Sequence, residues 1–410
     1  MSATPEPPPL HRGENTRAVH LPEPPPVPQR PLGLPVHRTA GFEFSSAAEF
    51  GEVLDGTRPG FSYSRVDNPT AAAFAAAVAA LEGANVGAEI VGEPFASGQA
   101  ATSTLLLGLT RAGGHVVAQR ELFGGTYSLL RRLEAFGVAV EFVDGSDPAA
   151  VGAALRPETC LLWVETLANP TMSVANLPAL AAAARQAGVP LIVDSTFASP
   201  AVCRPLEHGA DLVMHSATKY LGGHSDVTGG VVVGRPELLA PVRAARVDLG
   251  GSLAPDEAFL LRRGLSTLPL RVARHCASAL AFAEAISGHP RVTRVDYPGL
   301  STHRDHELAG RLFTSARYGG VVTLSVAGGR AAGQALCDGL RLVRNASSLG
   351  GVHSVVSHVA STTHRQLDDA ALAAAGIDPS AVRVSIGLED ADDLIADVRQ
   401  ALDALPDFTH

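Results

Sequence analysis

The sequence predicts an α/β fold in which helices cover a mostly parallel β-sheet. Short apolar runs recur between residues 115 and 233, and most of them are separated by segments long enough to form a helix. The runs are continuously apolar rather than alternating, which is typical of strands that are buried on both faces. Strands that alternate with helices indicate right-handed βαβ units and therefore a parallel sheet.

The elements of this first part follow one another along the chain. Residues 71–81 are mostly alanine, with Phe74, Val78 and Leu81 at helical spacing, so we expect a helix there with Thr70 as its N-cap. The expected strands are short runs of β-branched or bulky apolar residues at 115–118, 138–143, 160–164, 191–193, 212–214 and 231–233.

A second, smaller α/β unit is expected after Gly251. Its predicted elements are a helix over 253–286, strands over 320–326 and 382–386, and an amphipathic helix over 390–405. Gly264 and Pro269 interrupt the long helix, since neither residue suits a helix interior. The two strands alternate between apolar and polar side chains, which predicts that each is half exposed.

The composition of the chain excludes several classes of protein. Its 410 residues are 46% hydrophobic and 18% charged, which is typical of a globular enzyme. The net charge of −9 offers no basic surface for nucleic acid, and no apolar run is long enough to cross a membrane. The four cysteines include no CxxC pair, which argues against a metal site and against disulfides and favours a cytoplasmic location.

Residues 1–35 form a proline-rich tail. Three consecutive prolines occur at 7–9 and again at 24–26, and no apolar stretch marks a signal peptide. Such a composition cannot bury enough apolar surface to fold, so we expect this tail to be disordered. A docking role toward partners with proline-binding grooves stays open.

Two reactive side chains follow neighbouring predicted strands. Asp194 ends the strand at 191–193, and Lys219 follows the strand at 212–214. Alone, such a lysine is usually solvated and such an aspartate usually caps a helix or closes a turn. Together they lie where parallel sheets bind ligands, and a desolvated amine can form a Schiff base with an aldehyde. An amine and a carboxylate so placed suit pyridoxal 5'-phosphate (PLP), whose pyridine nitrogen the carboxylate would keep protonated.

A candidate phosphate site precedes both residues. Gly98 and Gln99 form a tight turn that opens a helix, and the free N–H groups and dipole at a helix start favour a dianion. Ser216 and Thr218, which precede Lys219 by three residues and by one, add hydroxyl donors. A helix start of this kind is common, so it indicates a phosphate site only when it is considered together with Lys219 and Asp194.

Several motifs occur together and in a fixed order along the chain. They are YSRVDNPT (63–70), SGQAA (97–101), FGGT (123–126), ETLANP (165–170), DSTF (194–197), HSATKY (215–220), GGHSD (222–226), SLGG (348–351) and RVSIGLE (383–389). In this order the sequence resembles the Cys/Met-metabolism family of PLP enzymes, which includes cystathionine γ-synthases, γ-lyases and acyl-homoserine sulfhydrylases. The resemblance implies the type I PLP-dependent transferase fold, with a sheet of the seven-stranded type in a large domain and a smaller C-terminal domain.

The resemblance also implies how the chain is divided and assembled. Residues 36–60 would be an N-terminal arm that contacts a neighbouring subunit, 61–250 the large PLP-binding domain and 251–410 the small domain. The implied assembly is a homodimer, usually doubled to a homotetramer, whose active sites are shared across subunits.

Roles around the cofactor ring follow from the same resemblance. Lys219 would bind the cofactor aldehyde covalently and later move protons. Asp194 would pair with the pyridine nitrogen, Asn169 would hydrogen-bond the phenolic oxygen, and Phe123 would stack on the ring. The residues implied for the phosphate are Gly98, Gln99, Ser216 and Thr218, together with Tyr63 and Arg65 from the neighbouring subunit.

A substrate carboxylate would be bound by Arg383, with help from Ser348. The planar guanidinium can donate two parallel hydrogen bonds to a carboxylate. Read without the resemblance, Arg383 is slightly better explained as a member of a surface ion pair on a half-exposed strand. No metal ligand is implied.

Three departures from the family pattern bear on the reaction. Phe123 stands where tyrosine is usual, so it keeps the stacking but lacks the hydroxyl thought to protonate a departing thiolate. Gly125 stands where methionine γ-lyases usually have cysteine. His353 replaces a common glutamate near the distal end of the substrate, either as a specificity residue or as a packing variant.

Phe123 favours γ-replacement on an O-acylated homoserine, because a carboxylate leaves without needing a proton, and Gly125 counts against a methionine γ-lyase. The alternative is γ- or β-elimination of cystathionine, methionine or cysteine, in which Lys219 or Tyr63 would protonate the leaving thiolate. An aminotransferase and a cofactor-free relative are the other classes considered. The motifs at 63–70 and 348–351 speak against the first, and Lys219 with Asp194 and Arg383 speaks against the second.

Overall fold

The part of the chain that the structure describes contains two β-sheets, and the larger one lies in the N-terminal part. The structure is a computed structural model that describes residues 29, 31–314, 316–365, 368–374 and 376–408. Within these residues the seven strands of the larger sheet are β1 (Val91–Phe95), β2 (His115–Gln119), β3 (Ala139–Val143), β4 (Thr159–Glu165), β5 (Leu191–Asp194), β6 (Leu212–Ser216) and β7 (Gly230–Gly234). Their order is β1-β7-β6-β5-β4-β2-β3. All neighbours from β6 to β3 are parallel, whereas β7 is antiparallel to both β6 and β1, so the prediction of a mostly parallel sheet is confirmed.

Strand β1 was not expected from the sequence. It contains Gly92 and Pro94, which are depleted in strands and hide its pattern. The structure tolerates both residues because β1 is an edge strand that pairs only with β7, where a missing N–H is acceptable. Gly92 also allows close packing, since a Cβ there would lie 2.5 Å from the carbonyl oxygen of Ala75.

Helices cover both faces of this sheet and continue into the C-terminal part. In the described residues they are α1 (Ala47–Leu54), α2 (Pro69–Glu82), α3 (Gly98–Leu109), α4 (Gly124–Leu133), α5 (Pro148–Ala154), α6 (Leu177–Ala187), α7 (Pro236–Leu249), α8 (Pro255–Leu265), α9 (Leu268–Ser287), α10 (His306–Leu312), α11 (Gly329–Gly339), α12 (Asp369–Ala374) and α13 (Ala391–Asp403). Short 3₁₀ turns occur at Glu134–Phe136, Pro205–His208 and Val359–Ser361.

One expected helix boundary is wrong, and one expected interruption is confirmed. Asn68, not Thr70, caps α2: its side chain accepts from the Thr70 N–H at 2.9 Å, because Pro69 is already the first helical residue. The helix expected over 253–286, with interruptions at Gly264 and Pro269, is two helices, α8 and α9, so the predicted interruption is confirmed and lies between these two residues. Gly264 stays inside α8, and Pro269 lies in the first turn of α9, where a missing N–H costs nothing.

A smaller sheet forms the C-terminal part. Among the described residues its strands are β8 (Val292–Asp296), β9 (Val321–Val326), β10 (Arg344–Asn345), β11 (Val355–His358) and β12 (Val382–Ser385). Their order is β10-β11-β12-β9-β8. The prediction that the strands now named β9 and β12 are half exposed is wrong, because every residue of both is buried. Strand β12 is central in the sheet, so even its polar face is covered.

The predicted division of the chain comprises a tail, an arm and two domains. The tail prediction for residues 1–35 falls almost wholly outside the described residues. The described residues from Val36 onward form one compact unit, and the boundaries at 60/61 and 250/251 stay predictions. Helix α1 lies in the predicted arm and has no buried residue. No helix within the described ranges is both long and apolar enough to span a membrane.

The sheet brings three strand ends to one edge. Glu165 of β4 is the register partner of Asp194 of β5, and Asp194 is in turn the partner of Met214 of β6. The side chains that follow these parallel strands therefore meet at the carboxyl edge of the larger sheet.

Candidate active site

A cavity of about 410 Å³ opens at this edge and extends toward β12. The predicted site residues that line it are Lys219, Asp194, Asn169, Gly98, Gln99, Ser216, Thr218, Phe123, Arg383 and Ser348. The cavity lining does not include Tyr63, Arg65 or His353. Side chains that the sequence reasoning did not single out also line it, among them Glu165, Thr196, Phe197, Ser347 and Thr363.

Lys219 lies in the turn that follows β6, and its amine is half buried. Its Nζ donates to the Ser348 Oγ at 2.8 Å. Burial, with a smaller contribution from the nearby Arg383 charge, lowers the pKa of Lys219 from 10.5 to about 8. A substantial fraction of the amine is therefore neutral near physiological pH and able to act as a nucleophile or base.

Lys219 is also the only lysine in the whole sequence. This property is visible in the sequence as a simple count of residues. Lysine and arginine together number 32, so the other 31 of these residues are arginine. Any chemistry that requires a side-chain amine must therefore use Lys219.

Asp194 is a buried carboxyl at the end of β5. Burial raises its pKa, and the hydrogen bonds from Thr196 oppose that rise; the Thr196 N–H donates to the Asp194 Oδ1 at 2.9 Å. Asp194 forms no ion pair with any described residue. A protonated pyridine nitrogen would supply the cation that this buried carboxylate lacks.

The start of α3 lies where the sequence predicts the phosphate site, and we call it the candidate phosphate cradle. The Ser97 Oγ accepts from the Ala100 N–H at 3.0 Å and caps the helix. A Cβ at Gly98 would lie 2.7 Å from the Ser216 side chain, so glycine is required for this close approach. The Thr218 hydroxyl is held by the backbone of Gly229, whose N–H donates to the Thr218 Oγ1 at 3.0 Å. The cradle thus combines a helix N-terminus with hydroxyls from β6 and its turn.

Arg383 is buried at the centre of the smaller sheet, with an exposed fraction of 5%. It donates to the Asn169 Oδ1 at 3.1 Å and to the Ser348 carbonyl at 3.2 Å. Burial lowers its pKa to about 10, and no carboxylate pairs with it among the described residues. The alternative reading of Arg383 as a surface ion pair is therefore wrong.

Three residues of the cavity lining carry a buried donor that has no partner within the described part of the chain. One is the Thr126 hydroxyl, and the other two are N–H donors, the Asn169 Nδ2 and the Arg383 Nε. Buried polar atoms are normally hydrogen-bonded, so orphaned donors at a cavity indicate a missing ligand. A ring oxygen for Asn169 and a substrate carboxylate for Arg383 would satisfy the two N–H donors.

Ser348 connects Lys219 and Arg383 through one residue. Its hydroxyl accepts from the lysine and its carbonyl accepts from the arginine. Its φ of 86° lies in the left-handed region that non-glycine residues rarely adopt. Backbone strain of this kind is found at sites where the geometry serves function.

The Phe123 ring lies at the mouth of the cavity and is 42% exposed. A Cβ at Gly125 would lie 2.5 Å from a ring carbon of Phe123 and 3.1 Å from the Gln99 Nε2. Gly125 therefore leaves room for the aromatic ring in this position, and a cysteine there would displace it.

Tyr63 and Arg65 lie outside the cavity of their own chain. The Arg65 guanidinium lies 5.8 Å from the centre of the Tyr63 ring and donates to the Val247 carbonyl at 2.6 Å. The buried Arg246 holds this segment in place by donating to the backbone carbonyls of Arg65, at 3.1 Å, and of Val66, at 2.5 Å. A role for Tyr63 and Arg65 in a neighbouring subunit stays a prediction.

His353 is exposed in the turn before β11. The single chain does not bring it to the cavity, so its proposed part in substrate selection also stays a prediction.

The fold and the cavity together define a class of protein. A desolvated lysine, a buried carboxyl, a helix-start anion cradle and an orphaned amide are the groups that PLP requires for its aldehyde, pyridine nitrogen, phosphate and ring oxygen. The residues present fit the cofactor, and the sheet places them at its carboxyl edge as in type I PLP enzymes.

Comparisons with known proteins identify the family. The family described as Cys/Met metabolism PLP-dependent enzyme matches residues 15–403. An L-methionine gamma-lyase from Pseudomonas putida is 40% identical over 395 residues, which cover 96% of this chain and 98% of the relative. A cystathionine gamma-synthase from Mycobacterium bovis is 40% identical over 393 residues, which cover 95% and 97%.

A solved structure supports the same assignment. The cystathionine gamma synthase from Xanthomonas oryzae, in complex with aminoacrylate and cysteine, matches with a TM-score of 0.85 and 36% identity over 92% of this chain and 94% of that chain. The chain belongs to the Cys/Met-metabolism family of PLP-dependent enzymes. The predicted family, fold type and cofactor are confirmed, and the enzyme is a γ-synthase or a γ-lyase.

Proposed function

We propose that the enzyme catalyses γ-replacement on an O-acylated homoserine, with a thiol as the incoming nucleophile. The observation that carries this proposal is Phe123 at the cavity mouth, where the ring can stack but has no hydroxyl. A departing thiolate has a conjugate pKa of about 8.5 and benefits from a proton, whereas a departing carboxylate, with a pKa of about 4, does not. Relatives with equal identity are named as synthase and as lyase, so identity alone does not choose between them.

The chain's own residues support the steps that this reaction needs. When bound, PLP supplies an electron sink for the carbanion at the substrate α-carbon. Arg383 would bind the α-carboxylate and thereby orient the α-hydrogen toward Lys219. The Lys219 Nζ, with its lowered pKa, would take that proton and return one later, while Ser348 keeps the amine in the cavity. Asp194 would keep the bound ring protonated.

Elimination is the second candidate function. The methionine gamma-lyase from Pseudomonas putida is as similar to this chain as the synthase is. Lys219, with a pKa of about 8, could also protonate a leaving thiolate. Both reactions begin with the same proton transfers, so they differ mainly in how the γ-substituent leaves and whether a nucleophile replaces it.

A product assay separates the two functions. The PLP-loaded enzyme is incubated with O-acetyl- or O-succinyl-homoserine plus cysteine, and separately with cystathionine or methionine. We expect kcat/KM for thioether formation from an O-acyl substrate to exceed that for release of 2-oxobutyrate from a thioether by at least about tenfold, which corresponds to 1.4 kcal/mol. Faster 2-oxobutyrate release from cystathionine or methionine would contradict the proposal.

Phe123→Tyr tests the leaving-group argument directly. The new hydroxyl should raise turnover of the thioether substrates by about 10- to 100-fold, because a positioned acid typically contributes 10²–10⁴-fold to such a step. Turnover of O-acylhomoserine should change less than about threefold, since that leaving group needs no acid. Phe136→Tyr is the control, because Phe136 is an exposed residue outside the cavity. Unchanged thioether turnover in Phe123→Tyr would show that the missing hydroxyl is not what disfavours elimination.

We also infer an assembly in which subunits share their sites. Two observations support it. Tyr63 and Arg65 lie outside their own cavity, and α1 exposes Phe50 and Leu54 without burying any of its residues. A homodimer, doubled to a homotetramer, is the assembly that the family resemblance implies.

A further inference from the structure

Glu165 is a buried carboxyl in the cavity to which no role has been given above. It is the last residue of β4, and its exposed fraction is 4%. Its Oε1 accepts from the Phe123 N–H at 2.7 Å, and its Oε2 accepts from the Asn169 N–H at 3.3 Å. One carboxylate therefore joins the loop after β2, which carries the aromatic ring, to the loop after β4, which carries the amide.

The position of Glu165 is itself fixed by the sheet. Its backbone N–H donates to the side-chain Oε1 of Gln119, the last residue of β2, at 2.8 Å. Strands β2 and β4 are parallel neighbours, so the carboxylate is anchored to the rigid sheet and not to a loop. The two hydrogen bonds that Glu165 accepts therefore hold the backbone of Phe123 and of Asn169 at fixed positions relative to the sheet.

Keeping a carboxylate at this position has an electrostatic cost. Burial first, and then the charge of Asp194 on the adjacent strand, raise the pKa of Glu165 well above its ordinary value. Glu165 forms no ion pair with any described residue. The hydrogen bonds from the backbone of Phe123 and Asn169 are what offset this cost.

We propose that Glu165 is a positioning residue that holds Phe123 and Asn169 in place against the bound PLP ring. It acts through them: Phe123 would be fixed over the ring face and Asn169 at the ring oxygen. The proposal rests on the roles given above to these two residues and not on which γ-reaction the enzyme performs. The hydrogen bond to Glu165 holds the Phe123 backbone at the point from which the ring projects, and this is how the carboxylate would influence the ring.

The test compares Glu165→Gln with a matched control. Glutamine keeps the shape of the side chain but has one oxygen and one NH₂ group, so it can accept from only one of the two N–H donors. The control is Glu121→Gln: Glu121 accepts from the hydroxyls of Thr171, at 2.9 Å, and Ser173, at 2.6 Å, nearby but outside the cavity lining. For each PLP-loaded protein, the visible circular dichroism of the bound cofactor and the Kd of PLP are measured.

We expect Glu165→Gln to lose at least about half of the visible circular dichroism and to raise the Kd of PLP by about 10- to 100-fold, the effect of losing a hydrogen bond to a charged group. Glu121→Gln should stay within about twofold of wild type in both. Wild-type signals in Glu165→Gln, or equal losses in both variants, would overturn the proposal. Should the glutamine variant not fold, Glu165→Leu removes both hydrogen bonds together with the buried charge, and wild-type dichroism there would also overturn it.

This readout is independent of the reaction that the enzyme performs. The cofactor signature reports ring orientation in the absence of substrate. The product assay on the wild-type enzyme reports replacement against elimination. An enzyme that proves to be a lyase could therefore still confirm the role of Glu165, and a synthase could refute it.

Discussion

Replacing Lys219 with alanine should lower kcat by more than about 10³-fold, because the variant loses both the covalent attachment and the proton transfers that the amine supplies. The loss should exceed that at any other position, since Lys219 is the only lysine in the chain and no second side-chain amine can substitute for it. Turnover of O-acylhomoserine and of cystathionine should fall together, since both reactions require the same amine.

The environment of Lys219 also sets a pH dependence. With a pKa of about 8, the neutral fraction of the amine rises from about one tenth at pH 7 to about nine tenths at pH 9. The rate at which apoenzyme binds added PLP covalently should therefore rise close to tenfold over that interval and then level off. A lysine with the ordinary pKa of 10.5 would give a rate that still climbs steeply between pH 9 and 10. Such a climb would show that the amine is not desolvated.

The second large effect is expected at Arg383. Arg383→Gln should lower kcat/KM by about 30- to 5,000-fold, because removing one partner of a buried, hydrogen-bonded charge pair costs about 2–5 kcal/mol. Most of the change should appear in KM, since the guanidinium binds the substrate carboxylate before the chemical steps and throughout them. The free enzyme, in which this charge is buried without a carboxylate, should unfold at a similar or higher temperature in the variant.

A matched arginine serves as the control for this prediction. Arg271 has the same exposed fraction of 5% and donates to the carbonyls of Tyr220 and Gly264, both at 2.8 Å, but it does not line the cavity. Arg271→Gln should lower the unfolding temperature while leaving KM within about threefold of wild type, because the hydrogen bonds it loses are internal. A KM that is unchanged in Arg383→Gln would exclude the carboxylate-binding role.

The larger sheet was predictable because its strands are continuously apolar. Strands β2 to β7 all coincide with runs that the sequence marks. The exception is β1. It lies at the edge of the sheet and packs closely at Gly92, and neither feature produces an apolar pattern in the sequence. In the smaller sheet the alternating pattern of β9 and β12 is real, but tertiary packing covers the polar face as well. Alternation alone cannot distinguish a solvent-facing side from one that lines a cavity.

The site was predictable to the extent that its residues follow strand ends. Lys219 and Asp194 were found in this way, and the structure brings both to one cavity. Glu165 also ends a strand, but its proposed role depends on the two backbone N–H groups that donate to it. Those groups belong to two separate loops, so the sequence alone does not reveal the contacts. The burial of Arg383 away from solvent likewise depends on the packing around β12. Tyr63, Arg65 and His353 were assigned by family resemblance alone, and the single chain does not place them in the cavity.

Borohydride trapping tests most directly whether Lys219 is the reactive centre of this enzyme. The PLP-loaded protein is treated with borohydride, which reduces a carbon–nitrogen double bond between an amine and PLP, and its peptides are then analysed by mass spectrometry. We expect one reduced cofactor per chain, on the peptide that contains Lys219, and none in Lys219→Ala. An enzyme that turns over substrate with PLP but carries no cofactor mass on that peptide, or carries it on the N-terminal amine instead, would contradict the account.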